Sequence, residues 1–343
     1  MGHRARHCIL LLALTVAFAL GGQRAAADGV RYRDEVFDSA TTARDIAYGQ
    51  AIDEHGQLET LYLDLYEPAG DTEPLRPAFV WIHGGGFTGG DKADALNAEI
   101  ATRFAKRGYV TTSINYRLRE GDYFDVGDPR LPQVMAEAQH DAQAAVRWLR
   151  ANAAAYHIDA DRIAVGGTSA GAITALHVNY NSTDPGNSGN PGYPSDTSAC
   201  IDVSGAIDVT LMEQGEPPVM IVHGTEDARV PYEYALNIVA RGQEVGVTVE
   251  FHPLEGMGHG VWTQYKEPII LLMADFLYRY ASPIRPIGGV ANHPQSEPNA
   301  ATTGGSSSTR NAAAIAGVVA GGALLVVAGV WGVRRRRGRI LGR

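Results

Sequence analysis

The stretch from Arg162 to Val178 constrains the fold more than any other part of this chain. Arg162-Ile163-Ala164-Val165 reads as a short strand, Gly166 to Gly171 as a run of small residues, and Ala172 to Val178 as a segment able to run as a helix. The order is strand, sharp turn, helix, with Gly167-Thr168-Ser169-Ala170-Gly171 fitting G-x-S-x-G at the turn. A turn that holds a serine in strained backbone geometry above a sheet needs small neighbours. The N–H of Ala170 would then open a helix, where negative charge is favoured. Alone, the five residues describe an ordinary Gly/Ser/Ala turn equally well. The remainder of the chain decides between the two.

Around this point strands and helices alternate. Asp45 to Ile52 and Leu58 to Tyr66 form an antiparallel opening hairpin about the turn Asp53-Glu54-His55-Gly56. Ala78-Phe79-Val80-Trp81-Ile82 is a continuous apolar run, as expected of a strand covered on both faces. Leu96–Arg107 is a helix stopped by Gly108, Tyr109–Tyr116 a strand, and Val134–Tyr156 a long Ala-rich helix. Strands follow at 201–207, 219–222 and 247–253, with helices at 232–245 and 267–280. The pattern predicts an α/β fold: a mostly parallel central sheet with helices on both faces. No segment is long enough for a large cap domain. Asn181 to Ser198, rich in Asn, Ser, Gly and Pro, reads as an ordered excursion or a mobile loop.

Four segments end predicted strands, and ligands in open α/β sheets gather at the carboxyl ends of strands. His83-Gly84-Gly85-Gly86-Phe87 follows 78–82. Three successive glycines are entropically expensive, and turning backbone N–H groups toward a developing oxyanion is a reason to have them. No G-x-x-x-x-G-K-[ST] pattern follows, which disfavours a phosphate loop. His83 itself reads as a pin for the loop rather than a base. Ser169 is the second point. The third is His223-Gly224-Thr225-Glu226-Asp227-Ala228-Arg229-Val230-Pro231, with Asp227 as the acid and its neighbour Glu226 as the rival. The fourth is Gly256-Met257-Gly258-His259-Gly260, with His259 as the base and His252 as the competitor inside a strand. In the order Ser169, Asp227, His259 successive members lie 58 and 32 positions apart, room for strand–helix units.

The ends of the chain differ from its middle. Residues 1–27 have a basic start, an apolar core from Cys8 to Leu20 and Ala25-Ala26-Ala27 before Asp28, the form of an export signal. Ser282 to Asn311 reads as a flexible stalk, and Ala312 to Val333 is 22 residues without a charge, the length of a bilayer span. The tail 334–343 opens with four arginines, which places it on the cytoplasmic side. These features predict an exported single-pass protein with its folded domain at 28–281, or one secreted after its tail is cleaved. Residues 28–310 carry 20 Lys and Arg against 38 Asp and Glu, a formal charge of −18. Such a surface repels phosphate backbones, which excludes nucleic acid as a partner and suits a neutral small-molecule or saccharide ester. Of the two cysteines, Cys8 leaves with the signal, so Cys200 has no disulfide partner and reads as a buried strand residue.

From about 44 to 281 the chain resembles α/β-hydrolase carboxylesterases of the H-G-G-G type, near the hormone-sensitive-lipase-like and acetyl- or feruloyl-esterase groups. The likeness rests on the motifs above and on Gly90-Asp91-Lys92, Asn115-Tyr116-Arg117-Leu118 and Asp141…Val146-Arg147-Trp148-Leu149. It implies a catalytic triad of Ser169, Asp227 and His259, an oxyanion hole from the N–H groups of Gly85, Gly86 and Ala170, and no metal or organic cofactor. Thr168 stands where hormone-sensitive-lipase-like members usually carry Asp or Glu before the serine. The acid segment instead resembles esterases and peptidases with H-G-x-x-D-x-x-V-P. A serine peptidase of the same fold and an inactive binding module are the alternative expectations.

Overall fold

The computed structural model describes residues 29–121 and 128–283. Their eight strands form one sheet. The elements are β1 (Ala40–Ile52), β2 (Leu58–Pro68), β3 (Arg76–Ile82), α1 (Ala95–Ala105), β4 (Val110–Ile114), α2 (Leu131–Ala151) and β5 (Ile158–Thr168). They continue with α3 (Ala170–Tyr180), β6 (Cys200–Val203), β7 (Val219–Gly224), α4 (Glu233–Val245), β8 (Val249–Leu254) and α5 (Val261–Tyr280). The spatial order is β1-β2-β4-β3-β5-β6-β7-β8. β1 and β2 are antiparallel to each other, and β2 is antiparallel to β4. From β4 to β8 every pairing is parallel. The carboxyl ends of β3, β5, β7 and β8 therefore share one edge of the sheet.

Alternation in the buried strands divides the core into two layers. Ala78, Val80 and Ile82 of β3 pack with Val165, Cys200 and Ile221 and the inner faces of α2, α3 and α4. Phe79 and Trp81 point the other way, into a layer with Ile201, Met220, Phe104 of α1 and Met273 and Phe276 of α5. A strand apolar at every position is what this two-sided cover requires.

Several element boundaries differ from the sequence reading, and two of the differences have a visible cause. The strand expected over 201–207 stops at Val203, because Ser204 turns to φ 60° and the Gly205 N–H bonds the Asp202 carboxylate at 2.7 Å. The last helix opens at Val261 rather than Glu267 and kinks at Tyr265, and Pro268 falls in its second segment. Pro near the start of that segment lacks only an N–H that an opening turn leaves unbonded.

Asn181 to Ser198 is ordered, and buried side chains of α2 hold it. Arg147 donates to the carbonyls of Pro185 (2.7 Å) and Gly189 (2.9 Å), and Arg150 to those of Pro194 (2.7 Å) and Asp196 (2.6 Å). The motifs that carried the resemblance act as further pins. Arg117 grips the fully buried Asp141 with Nε and Nη2, and Ser188 Oγ donates to the same carboxylate at 2.6 Å. Lys92 lies 2.8 Å from both Asp45 and Asp64. The Arg117–Asp141 and Lys92–Asp64 pairs are buried; such pairs do little to raise net stability, but loss of one partner strands a charge and typically costs about 3–5 kcal/mol.

The expected export signal at 1–27, all but the first two residues of the expected stalk 282–311, the expected span 312–333 and the basic tail lie outside the described residues. Among the described residues, no helix is long and apolar enough to cross a membrane.

Candidate active site

The serine turn is built by close packing. Ser169 has φ 54° and ψ −122°, a conformation uncommon for a residue with a Cβ, and caps the N-terminus of α3. Its N–H donates to the Val203 carbonyl at 2.9 Å, which ties the turn to β6. The flanking glycines leave no room for a side chain. A Cβ on Gly171 would stand 2.5 Å from the His83 carbonyl oxygen, and one on Gly167 2.7 Å from that of Ile82. We expect Gly171→Ala to lower stability by about 3 kcal/mol, since the obstructing atoms are backbone and cannot rotate away. Gly260→Ala, whose methyl meets nothing within 4 Å, should stay within about 0.5 kcal/mol. Chemical-denaturation midpoints compare the two.

His259, on the loop after β8, reaches this serine: its Nε2 lies 2.8 Å from Ser169 Oγ. Its Nδ1 lies 2.7 Å from Asp227 Oδ2. A carboxylate only accepts, so the hydrogen is on Nδ1 and the lone pair of Nε2 faces the serine hydroxyl. Asp227, on the loop after β7, is buried, and its Oδ1 accepts from the N–H groups of Arg229 (2.9 Å) and Val230 (3.0 Å). Burial alone would push this carboxyl up. Hydrogen bonds from His223, His259 and the Val230 N–H outweigh it and hold the group well below its ordinary value. Glu226 points into solvent, as adjacent positions facing opposite ways require. His252 is half-buried and turns to Glu250 at 2.9 Å.

The loop after β3 lies against the serine. A Cβ on Gly84 would meet Ser169 Cβ at 3.3 Å. The chain then runs through positive φ at Gly85 (116°), Gly86 (66°) and Phe87 (65°). Among the described residues no hydrogen bond uses the N–H groups of Gly85, Gly86 or Ala170. His83 is buried, stacks on Tyr116 with ring centroids 4.5 Å apart, and donates from Nδ1 to the Gly84 carbonyl at 2.7 Å. Tyr116 Oη donates to the His83 carbonyl at 3.1 Å. Burial pushes the His83 imidazole below its ordinary value, so it anchors the loop as a neutral ring.

Two contacts at the site carried no clear signal in the sequence. Trp262 donates its indole N–H to Thr168 Oγ1 at 2.9 Å, which gives the threonine beside the serine a use as an acceptor. His223 lies under Asp227, and the only pointer to it was the four-residue spacing in H-G-x-x-D. A cleft of about 580 Å³ opens beside Thr88, two residues past Gly86, walled by Asp53, Glu54, His55, Glu59 and Arg119. Glu54, His55 and Glu120 bring ligand atoms within 4.8 Å of one another there, but all three are exposed and none belongs to the Ser169 cluster.

A mostly parallel sheet with a strained serine between a central strand and its following helix defines a class, and the chain has the α/β-hydrolase fold. The esterase Est2 of the Planctomycetes species Thermogutta terrifontis, with butyrate bound, superposes with a TM-score of 0.59 at 23% identity, over 74% of this chain and 96% of its own. A truncated carbohydrate esterase from gut microbiota gives 0.57 at 21% identity, over 70% and 95%. Within this class, the BD-FAE family model matches residues 63–216 and the prolyl oligopeptidase family model residues 187–283. In sequence the chain is 33% identical to the bile salt-activated lipase of Rattus norvegicus over 147 residues, 40% of this chain and 23% of that protein. It is 32% identical to venom carboxylesterase-6 of Apis mellifera over 126 residues, 36% and 21% respectively. The chain thus matches about a fifth of the length of these curated relatives.

Proposed function

We propose that the protein is a serine carboxylesterase acting on small esters through an acyl-enzyme. The observation that carries this reading is the hydrogen-bonded line Ser169–His259–Asp227 beside the Gly85, Gly86 and Ala170 N–H groups. His259 Nε2 takes the proton of Ser169 as Oγ attacks the ester carbonyl, and Asp227 steadies the imidazolium that forms. The three N–H groups receive the oxyanion, a contribution of about 2.7–4 kcal/mol for a single donor. His259 returns the proton to the departing alcohol, then activates the water that releases the acid.

The BD-FAE and carboxylesterase matches support an esterase of the H-G-G-G type. The prolyl oligopeptidase match covers the segments of Asp227 and His259, which esterases and peptidases share. Est2 is also known phosphonylated by cyclosarin, the chemistry that a serine esterase would share. A fluorophosphonate probe tests the proposal: the wild-type protein should label at Ser169 and hydrolyse short p-nitrophenyl esters. Absence of both would sink the esterase reading. The polar cleft beside Thr88 and the acidic surface favour a neutral, hydroxyl-rich alcohol portion, which acetylated and feruloylated saccharides would probe. We also infer export and anchoring by 312–333, with secretion after tail cleavage as the alternative, on the uncharged span and the arginines beyond it.

A further inference from the structure

Behind Asp227 lies a second histidine that the three-residue line does not use. His223, the fifth residue of β7, is wholly buried. Its Nε2 is 2.9 Å from the Val230 carbonyl oxygen and 3.4 Å from Asp227 Oδ2. Both partners only accept, so Nε2 carries a hydrogen in every protonation state. The other ring nitrogen, Nδ1, is buried with no hydrogen-bond partner among the described residues.

The neighbouring strand supplies a matching group. β6 and β7 pair Asp202 with Ile221 and Val203 with Val222, so Asp202 and His223 belong to the same face of the sheet. Asp202 is also fully buried; one of its oxygens accepts from the Gly205 N–H, and Oδ2 has no partner among the described residues. An unpaired imidazole nitrogen and an unpaired carboxylate oxygen thus occupy adjoining strands on one face. The carboxylate of Asp227 stands on the other side of the ring. Two buried carboxylates are tolerated only with a compensating charge or full hydrogen bonding.

We propose that His223 is a positioning residue, an imidazolium held between Asp202 and Asp227 that fixes the acid carboxylate from behind. Its part in catalysis rests on the esterase reading above. The titratable groups facing His223 are Asp227 on the following loop and Asp202 on β6. The Tyr232 ring approaches from the start of α4 at 6.0 Å, and His259 lies beyond Asp227. Burial presses the His223 imidazole down, but the bond to Asp227 and the charge of Asp202 more than reverse this and leave it raised. Burial pushes Asp202 up to about 6, against the pull of His223 and the Gly205 N–H. A cation at His223 offsets part of the field that Asp227 exerts on His259. Its removal should make His259 hold its proton more tightly.

The test follows both histidines by NMR in full-length protein carrying 13C-labelled histidine, with no substrate present. In the wild type, His223 should titrate above the ordinary histidine value. In His223→Gln, which keeps a donor but no charge, the His259 midpoint should rise by about 0.5–1 pH unit. Asp202→Asn should lower the His223 midpoint, and carries the test if His223→Gln does not fold. With p-nitrophenyl acetate the acid limb of kcat/KM should move by the same interval as the His259 midpoint. In His223→Gln, kcat should fall about tenfold and KM should stay within about twofold, as expected of a displaced catalytic group. A His223 that titrates below about pH 6, under the ordinary histidine value, would overturn the proposal. So would a His259 midpoint unmoved in a folded His223→Gln, or a His223 midpoint unmoved in Asp202→Asn. Shifts as expected in a wild type that turns over no ester would instead overturn the esterase reading and leave the charge arrangement supported.

Discussion

Ser169→Ala is expected to lower kcat for a short p-nitrophenyl ester by about a millionfold and to abolish fluorophosphonate labelling. The substitution removes one oxygen. Alanine accepts the positive φ of the turn no worse than serine, and the N–H to Val203 that ties the turn to β6 is untouched. Stability should therefore move by less than about 1 kcal/mol, which a denaturation curve verifies. The remaining rate, about 10³–10⁴-fold over water, would come from substrate binding and the backbone N–H groups. Activity near the wild-type level would assign the chemistry to another nucleophile.

Asp227→Asn is expected to lower kcat by about 10⁴-fold with the fold intact. Its Oδ1 position can still accept from the N–H groups of Arg229 and Val230, so the loop keeps its shape. The change falls on His259. An amide nitrogen facing Nδ1 would favour the tautomer with its hydrogen on Nε2, and that ring has no lone pair for Ser169. Asp227 is held well below its ordinary value by His223, His259 and the Val230 N–H against its burial, so the wild-type group is anionic throughout the assay range. The deficit of the asparagine variant should not recover as pH rises. A loss below tenfold would move the acid role elsewhere, with the exposed Glu226 the first candidate for replacement.

Much of this geometry was legible in the chain because it comes from local sterics. Gly167 and Gly171 stand where a Cβ would strike carbonyls of the 82–83 segment, so the spacing of G-x-S-x-G is a packing requirement readable as a string. Only one of the neighbours Asp227 and Glu226 could face the site, and H-G-x-x-D-x-x-V-P has its acid at Asp227. The unbroken apolar run of β3 announced its cover on both sides. What stayed hidden depended on distant partners. Ile201 to Ile207 reads as one apolar segment, yet Asp202 captures the Gly205 N–H and bends the chain away after Val203. The excursion 181–198 has the composition of a mobile loop, and bonds from residues distant in sequence hold it in place, among them the arginines of α2, some 35–45 positions earlier. His223 looked like part of a turn motif, since its meaning depends on Asp202 of a strand that is adjacent in space but not in sequence.

That pinned excursion also guards the margin of the sheet. β1 is the outermost strand, and an outermost strand offers its unpaired row of N–H and C=O groups to any extended chain that drifts past. Here the Gln50 N–H is taken by the Ser188 carbonyl at 2.8 Å, and the Tyr48 carbonyl by the Asn190 amide at 2.7 Å. The excursion thus mimics a short ninth strand over the far half of β1. The near half displays Arg44 and Asp45, charges that discourage a second molecule from adding on. The arginines of α2 thereby help to keep this one of the sheet's two edges, the other being β8, from adding a strand of another copy.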